Sequence, residues 1–288
     1  MLVKRHLLLF FRDKANVFFS MLAIFIIIGL FVLFLGDTMV EAIQANLDHP
    51  TEDIRIVVAG LMLGATVAVT SITSCQGALG ISVGDKEGPA YDFFSSPISR
   101  RKIALSYIAS STIVGIIMTG FSLLLVMAYM MFLGAGLPSL AIWGKLLLTL
   151  LLSTLCANSM LYLLTLFVKS KNALAALGSI VGTMVGFLMG IYLPIGQLPT
   201  GVGWFIRLFP MSHAASMFRQ LLADDHLTRL FAGAPPESLQ SLRVFFGVTF
   251  VFGEFQSGFW FSAGVLAVTT VLFYAISLAV IQTRKPRS

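Results

Sequence analysis

Residues 60–80 read GLMLGATVAVTSITSCQGALG, and the uncharged run around them extends from Ile56 to Val83. A helix rises about 1.5 Å per residue and a bilayer core is about 30 Å thick, so roughly 20 apolar residues suffice to cross it. Glycine, alanine, serine and threonine dominate this run. Small residues let helix backbones approach closely where lipid supplies no hydrophobic drive, so the run predicts a span packed against protein. A face of Gly60, Gly64 and Ala68 at i, i+4 spacing fits close packing without naming the neighbour.

Working outward, five further blocks have the length and apolarity of spans: about 17–36, 103–133, 146–168, 173–193 and 259–281. The chain is 57% hydrophobic and 11% charged, with a mean hydropathy of +0.92. A soluble surface is usually about a quarter charged or more, so a soluble bundle is excluded by its missing polar faces. The sequence therefore predicts an all-α integral membrane protein with six transmembrane helices, forming one membrane domain over 1–288. The start, MLVKRHLLLFFRDKAN (1–16), is expected to be an interfacial helix. The first apolar block is long and has no clear small-x-small exit, so it is expected to be a retained span and not a signal peptide. Residues 194–258 are expected to form an outer region before the last span, with VFFGVTFVFG (244–253) re-entrant or interfacial.

Lys and Arg in short loops favour the cytoplasmic side. With six spans, Lys4, Arg5, Arg12, Lys14, Lys86, Arg100, Arg101, Lys102, Lys169, Lys171, Arg284, Lys285 and Arg287 share a side, 13 of the 19 bases. Both termini and residues 84–102 are accordingly expected in the cytoplasm, and the net charge of +6 belongs to a membrane flank and not to nucleic-acid binding.

Chemical signatures are sparse. The expected span cores carry no Asp, Glu, Lys, Arg or His. A charge at the membrane centre costs about 2.5–3.5 kcal/mol on insertion scales, and proton-coupled carriers often accept it to build a relay, so such a carrier is disfavoured. His6, His49, His213 and His226 lack metal-ligand spacing, and no metal or cofactor is expected in this chain. Cys75 and Cys156 fit small buried hydrophobes. Ser20, Ser71 and Ser106 have no His and Asp partners and suit hydrogen bonding within or between helices. No GxxxxGK[ST] occurs, so the sequence carries no sign of ATP hydrolysis by this chain.

GDKEGPAYDFFSSPISRRK (84–102) concentrates charge between two apolar blocks. Phe93 and Phe94 suit apolar anchors for a soluble partner, or interfacial anchors of a solvated turn. Arg100, Arg101 and Lys102 suit charge-assisted bonds to acidic groups, and equally a positive-inside anchor. Pro97 would end one helical piece and set the direction of the next.

With EGPAYDFFSSPISRRKIALSY (87–107) and LFPMSHAASMFRQLL (208–222), the chain resembles the type-2 permease family of ATP-binding-cassette exporters. Glu87, Ser96, Pro97, Ile98, Ser99 and Arg100 match the first signature. Pro210, Arg219, Leu221 and Leu222 match the element before the last span. The resemblance implies a permease subunit with no catalysis of its own, driven by a separate ATPase that holds ATP and Mg. It implies a pathway shared with a second permease copy or a paralogue, in a bacterial or archaeal inner membrane. Residues 84–102 would then be the coupling helix, with Glu87, Phe93, Phe94, Pro97, Arg100, Arg101 and Lys102 meeting the ATPase, helped by 1–16. Pro194, Pro199, Pro210 and Arg219 would shape an outer gate, whose polar insert, 223–241, is longer than in compact relatives. Substrate residues do not carry over. A secondary transporter, and a non-transporting scaffold recruiting a cytoplasmic complex, are the alternatives.

Overall fold

The computed structural model describes residues 2–44, 51–87 and 98–283. A long helix, α4 (Thr51–Glu87), is the axis of the fold. Its 37 residues extend about 55 Å, and in its most apolar stretch 94% of residues are buried. Against it pack α2 (Lys14–Leu30), α3 (Gly36–Gln44), α5 (Arg100–Phe132), α6 (Leu140–Phe167) and α7 (Lys171–Leu188). A closing helix, α12 (Phe259–Thr283), lies on α6. Glycine permits the closest approaches. A Cβ at Gly115 of α5 would lie 2.6 Å from both Cys75 Sγ and Thr154 Cγ2, so α4, α5 and α6 meet there with only a hydrogen to spare.

Before α2 runs α1 (Leu2–Arg12), whose His6 and Phe10 are buried while Leu8, Leu9 and Phe11 are exposed. Asp13 separates the two helices and caps α2 by accepting from the Asn16 amide at 3.0 Å. Beyond α2 a π-helical turn, Phe31–Leu35, leads into α3.

Four helices among the described residues are long and apolar enough to cross a membrane: Thr51–Asp85, Arg101–Phe132, Leu140–Phe167 and Phe259–Thr283. The first expected span is a bent pair, Lys14–Leu22 and Ile24–Leu33, at 42°, and counting it as one crossing gives five. The expectation of six is thus overturned. Its fifth block fails on length, because the apolar helix Asn172–Leu188 extends about 26 Å, short of the hydrocarbon core. The cause is local. Gly190 adopts φ +62°, and Ile191 N–H closes onto Gly186 O at 3.0 Å, so the apolar residues after Leu188 turn away from the helix axis. Without six crossings, the placement of both termini on the cytoplasmic side loses its basis in parity.

The stretch between α7 and α12 is made of short elements, the third of which packs into the core against α4, α6 and α12. It contains a 3₁₀ turn (Ile195–Gln197), α8 (Thr200–Leu208), α9 (Pro210–Leu222), α10 (Asp224–Leu230) and α11 (Pro236–Phe245). A two-stranded hairpin, β1 (Val251–Phe252) and β2 (Phe255–Gln256), follows, with Phe252 opposite Phe255. Of residues 244–253, Val244 and Phe245 end α11, and Val251 and Phe252 form β1. The chain leaves α11, reverses at Gly247 (φ +68°) and enters the hairpin.

Candidate functional site

At one end of α4, three elements converge on Asp85. Arg5 of α1 donates to both carboxylate oxygens, Nη1 to Oδ2 at 2.9 Å and Nη2 to Oδ1 at 3.1 Å. Tyr107 of α5 donates its hydroxyl to Oδ2 at 2.8 Å. His6 stacks on the Tyr107 ring, with centroids 4.5 Å apart and planes 10° from parallel, and its Nε2 lies 3.9 Å from Asp85 Oδ2. Its other nitrogen lies 3.4 Å from Ser110 Oγ. A bidentate guanidinium–carboxylate pair is among the stronger and more directional polar contacts. The clamp therefore fixes α1 simultaneously to the end of α4 and the start of α5, the two helices joined by the charged connection. Hydrogen bonding to Asp85 raises the Arg5 pKa above its usual value, and burial lowers that of His6.

Two to three turns further along, α2 joins the same seam. Thr73 Oγ1 donates to Ser20 O at 2.8 Å and Asn16 Nδ2 to Gly77 O at 3.4 Å, where a Cβ at Gly77 would press on Ser20 and Asn16. Ser20, Ser71 and Ser106 each donate to a carbonyl of their own helix.

Of the residues assigned to the connection by sequence, Phe93, Phe94 and Pro97 lie outside the described residues. Glu87 ends α4 and Arg100 begins α5. Arg101 and Lys102 are exposed in the first turn of α5. Cations there face the positive end of the helix dipole, so the helix gains nothing from them.

The second polar centre lies toward the other end of α4. Arg219 of α9 is 1% exposed. Its Nε donates to Leu61 O of α4 at 2.9 Å, and its Nη2 to Met189 O at 2.6 Å and Gly190 O at 2.9 Å. Among the described residues no carboxylate pairs with it, and Nη1 is buried without a hydrogen-bond partner. Burial pushes its pKa down to about 9, which leaves the guanidinium charged at neutral pH. The carbonyls just past α7 are the negative end of that helix dipole and take the place of a counter-ion. Pro210 starts α9 at a first-turn position where its missing N–H costs nothing. Close by, His213 accepts or donates at 3.1 Å with Ser262 Oγ of α12 and contacts Arg207 O at 2.9 Å.

Between the two centres, Asn158 of α6 donates to Ile108 O (3.1 Å), Ser111 Oγ (2.8 Å) and Thr112 Oγ1 (2.6 Å) of α5. Thr70 of α4 donates to Ser122 of α5 at 3.1 Å. Cys75 and Cys156 are free thiols buried in this core. Among the described residues no group of three His, Cys, Asp or Glu could hold a metal ion.

Sequence reasoning singled out Arg219 but passed over Asp85, Tyr107 and His6. Asp85 lies two residues past an apolar block and looks like part of a solvated flank. The one available signal was Arg5 and His6 beside Phe10 on a short helix whose other face is apolar.

Residues 1–223 match the family model described as ABC-2 type transporter. The chain belongs to the ABC-2 type transporter family. No curated protein sequence matches the chain. This ABC-2 chain is a multi-pass membrane protein of a family of non-catalytic transport subunits. Both polar centres, Asp85 and Arg219, fall inside the matched residues, whereas α10 to α12 lie beyond them.

Proposed function

We propose that this protein is the membrane subunit of an ABC exporter, moving a substrate out of the cytoplasm with energy from ATP hydrolysed, with Mg, on a separate ATPase chain. Residues 84–102 form the coupling segment. Glu87, Arg100, Arg101 and Lys102 meet charged groups of the ATPase, Phe93 and Phe94 anchor it, and Pro97 sets the bend. The observation that carries this reading is the Asp85 clamp, which binds α1 to both helices flanking that segment. A push on the segment then moves α1, α4 and α5 together.

The exposed bases at this end of the helices support a cytoplasmic placement for it. At the far end of α4, Arg219 and Pro210 belong to an outer gate. The support is that Arg219 spans the α4 backbone, the end of α7 and α9, so these elements shift as a unit. A second permease copy or a paralogue completes the pathway, in a bacterial or archaeal inner membrane.

The test is co-purification. The tagged chain is solubilised gently from its host and its bound proteins are identified by mass spectrometry. A stoichiometric P-loop ATPase, lost on Arg100→Glu with Arg101→Glu, is the expected result. Recovery of the intact chain without any ATPase overturns the reading in favour of a secondary transporter or a scaffold. An ATPase that stays bound to the charge-reversed variant removes those arginines from the coupling site.

A further inference from the structure

A trough of about 310 Å³ runs along the outer side of the α1–α2 corner, lined by Phe11, Lys14, Val17, Phe18, Met21 and Phe25. Its chemistry is divided by position. Lys14 stands at one end, and every other lining side chain is apolar. Phe11, Phe18 and Phe25 are exposed, while Met21 is 5% exposed and forms the floor. The Phe18 and Phe25 rings lie 6.3 Å apart at 27° and wall one side.

The lining residues of α2 recur every three or four positions, so they share one face. That face is turned away from the Asn16, Ser20 and Thr73 contacts that hold α2 to α4. From Lys14 to Phe25 the path along α2, which crosses its 42° bend, is about 16 Å, and one leaflet of hydrocarbon is about 15 Å deep. The trough thus begins at a cation and continues, without another polar side chain, for the depth of one leaflet. Arg12 is exposed next to its charged end. Asp13, the acid between them, already accepts from the Asn16 amide, and the three side chains carry a net charge of +1.

We infer that this trough is a binding site for one anionic phospholipid, with its headgroup phosphate at Lys14 and Arg12 and an acyl chain laid over Met21 along the wall that Phe18 and Phe25 form. A protein helix would fill the apolar part but leave the cationic end unmatched, whereas an anionic lipid matches both. The site is fixed to the Asp85 clamp through α1, so occupancy braces the corner from which that helix reaches Asp85. The inference rests on membrane residence, which family membership gives, and not on the ATPase assignment.

The full-length protein is placed in nanodiscs of equimolar phosphatidylglycerol and phosphatidylcholine with identical acyl chains, released into detergent, and its retained lipids are counted by native mass spectrometry. Phosphatidylglycerol is expected in about five-fold excess, the effect of one basic side chain at an anionic surface. Lys14→Gln should abolish the excess, while Lys169→Gln, another exposed base at the same end of the molecule, should preserve it. Met21→Trp, which fills the floor, should reduce retention of both lipids. Equal retention of the two lipids by the unaltered protein, or equal loss in the Lys14 and Lys169 variants, overturns the site. Dissociation of a dimer by Met21→Trp without any lipid preference assigns the trough to a second copy instead, and overturns it too.

Discussion

Asp85 and His6 meet through contacts of very different sequence separation, and this explains why the clamp was hidden. Asp85 bonds Tyr107 across the charged connection and Arg5 across 80 positions. Periodicity assigns each residue a face but cannot say which faces meet. Arg219 was visible because it sits in a recognisable family element; its burial was not, since a lone arginine near Asp224 and Asp225 looks solvated in a linear chain. The clamp has a pH consequence. Burial holds His6 below its ordinary value, opposed by the nearby Asp85 and reinforced by Arg5. Undocked α1 therefore binds the proton more readily than docked α1. Docking is strongest above about pH 6.5 and weakens as pH falls from there toward the lowered value, by up to about tenfold per pH unit. Hydrogen exchange of the α1 amides should show full protection at about pH 7.5 and reduced protection at about pH 5.5. His6→Phe keeps a ring on Tyr107 and should flatten this dependence. An unchanged slope in that variant would place the titrating group elsewhere.

At the scale of elements, hydropathy located the apolar blocks but not their ends. The fifth block continues through MGIYL with no loss of apolarity, yet the helix stops because Gly190 adopts a left-handed conformation that a hydropathy average cannot register. The small-residue face of α4 was legible, and its partner was not. That partner is α9: a Cβ on Gly60 would stand 2.8 Å from Leu222 O and 3.0 Å from Ala223 Cβ, and one on Gly64 would stand 3.3 Å from Arg219 N. Two of those neighbours are backbone atoms and cannot rotate aside. Gly60→Val should therefore separate α9 from α4 and destabilise the protein by about 1–3 kcal/mol, with loss of the Arg219 bond to Leu61. Gly144→Ala offers the opposite sign, because nothing lies within 4 Å of its Cβ and helix propensity favours alanine by about 0.5–1 kcal/mol. Thermal unfolding in one detergent, followed by fluorescence, ranks the two variants. Equal midpoints would show that the α4–α9 contact is not tightly packed.

Across the whole molecule, burial falls outward from one helix. In the most apolar stretch of each, 94% of α4 is buried, 50% of α5, 39% of α6 and 17% of α12. The sequence distinguishes the extremes in composition, small residues in α4 and bulky apolar ones in α12, because lipid-facing positions accept any large hydrophobe whereas a central helix must fit between neighbours. The central helix also connects the two polar centres, with Leu61 and Asp85 about 36 Å apart along its axis. A helix enclosed on nearly every side cannot slide past its neighbours, so displacement at Asp85 moves α4 together with α5 and α6. Stability should follow the same gradient. Leu63→Ala removes a side chain with no exposed surface and leaves a cavity at a cost of about 2–5 kcal/mol. Val271→Ala trims a side chain that is 70% exposed on α12 and should stay within about 0.5 kcal/mol of the original. If Val271→Ala is instead as damaging as Leu63→Ala in the detergent-solubilised protein, then α12 is covered there by another chain, and the outer face of this subunit is an interface.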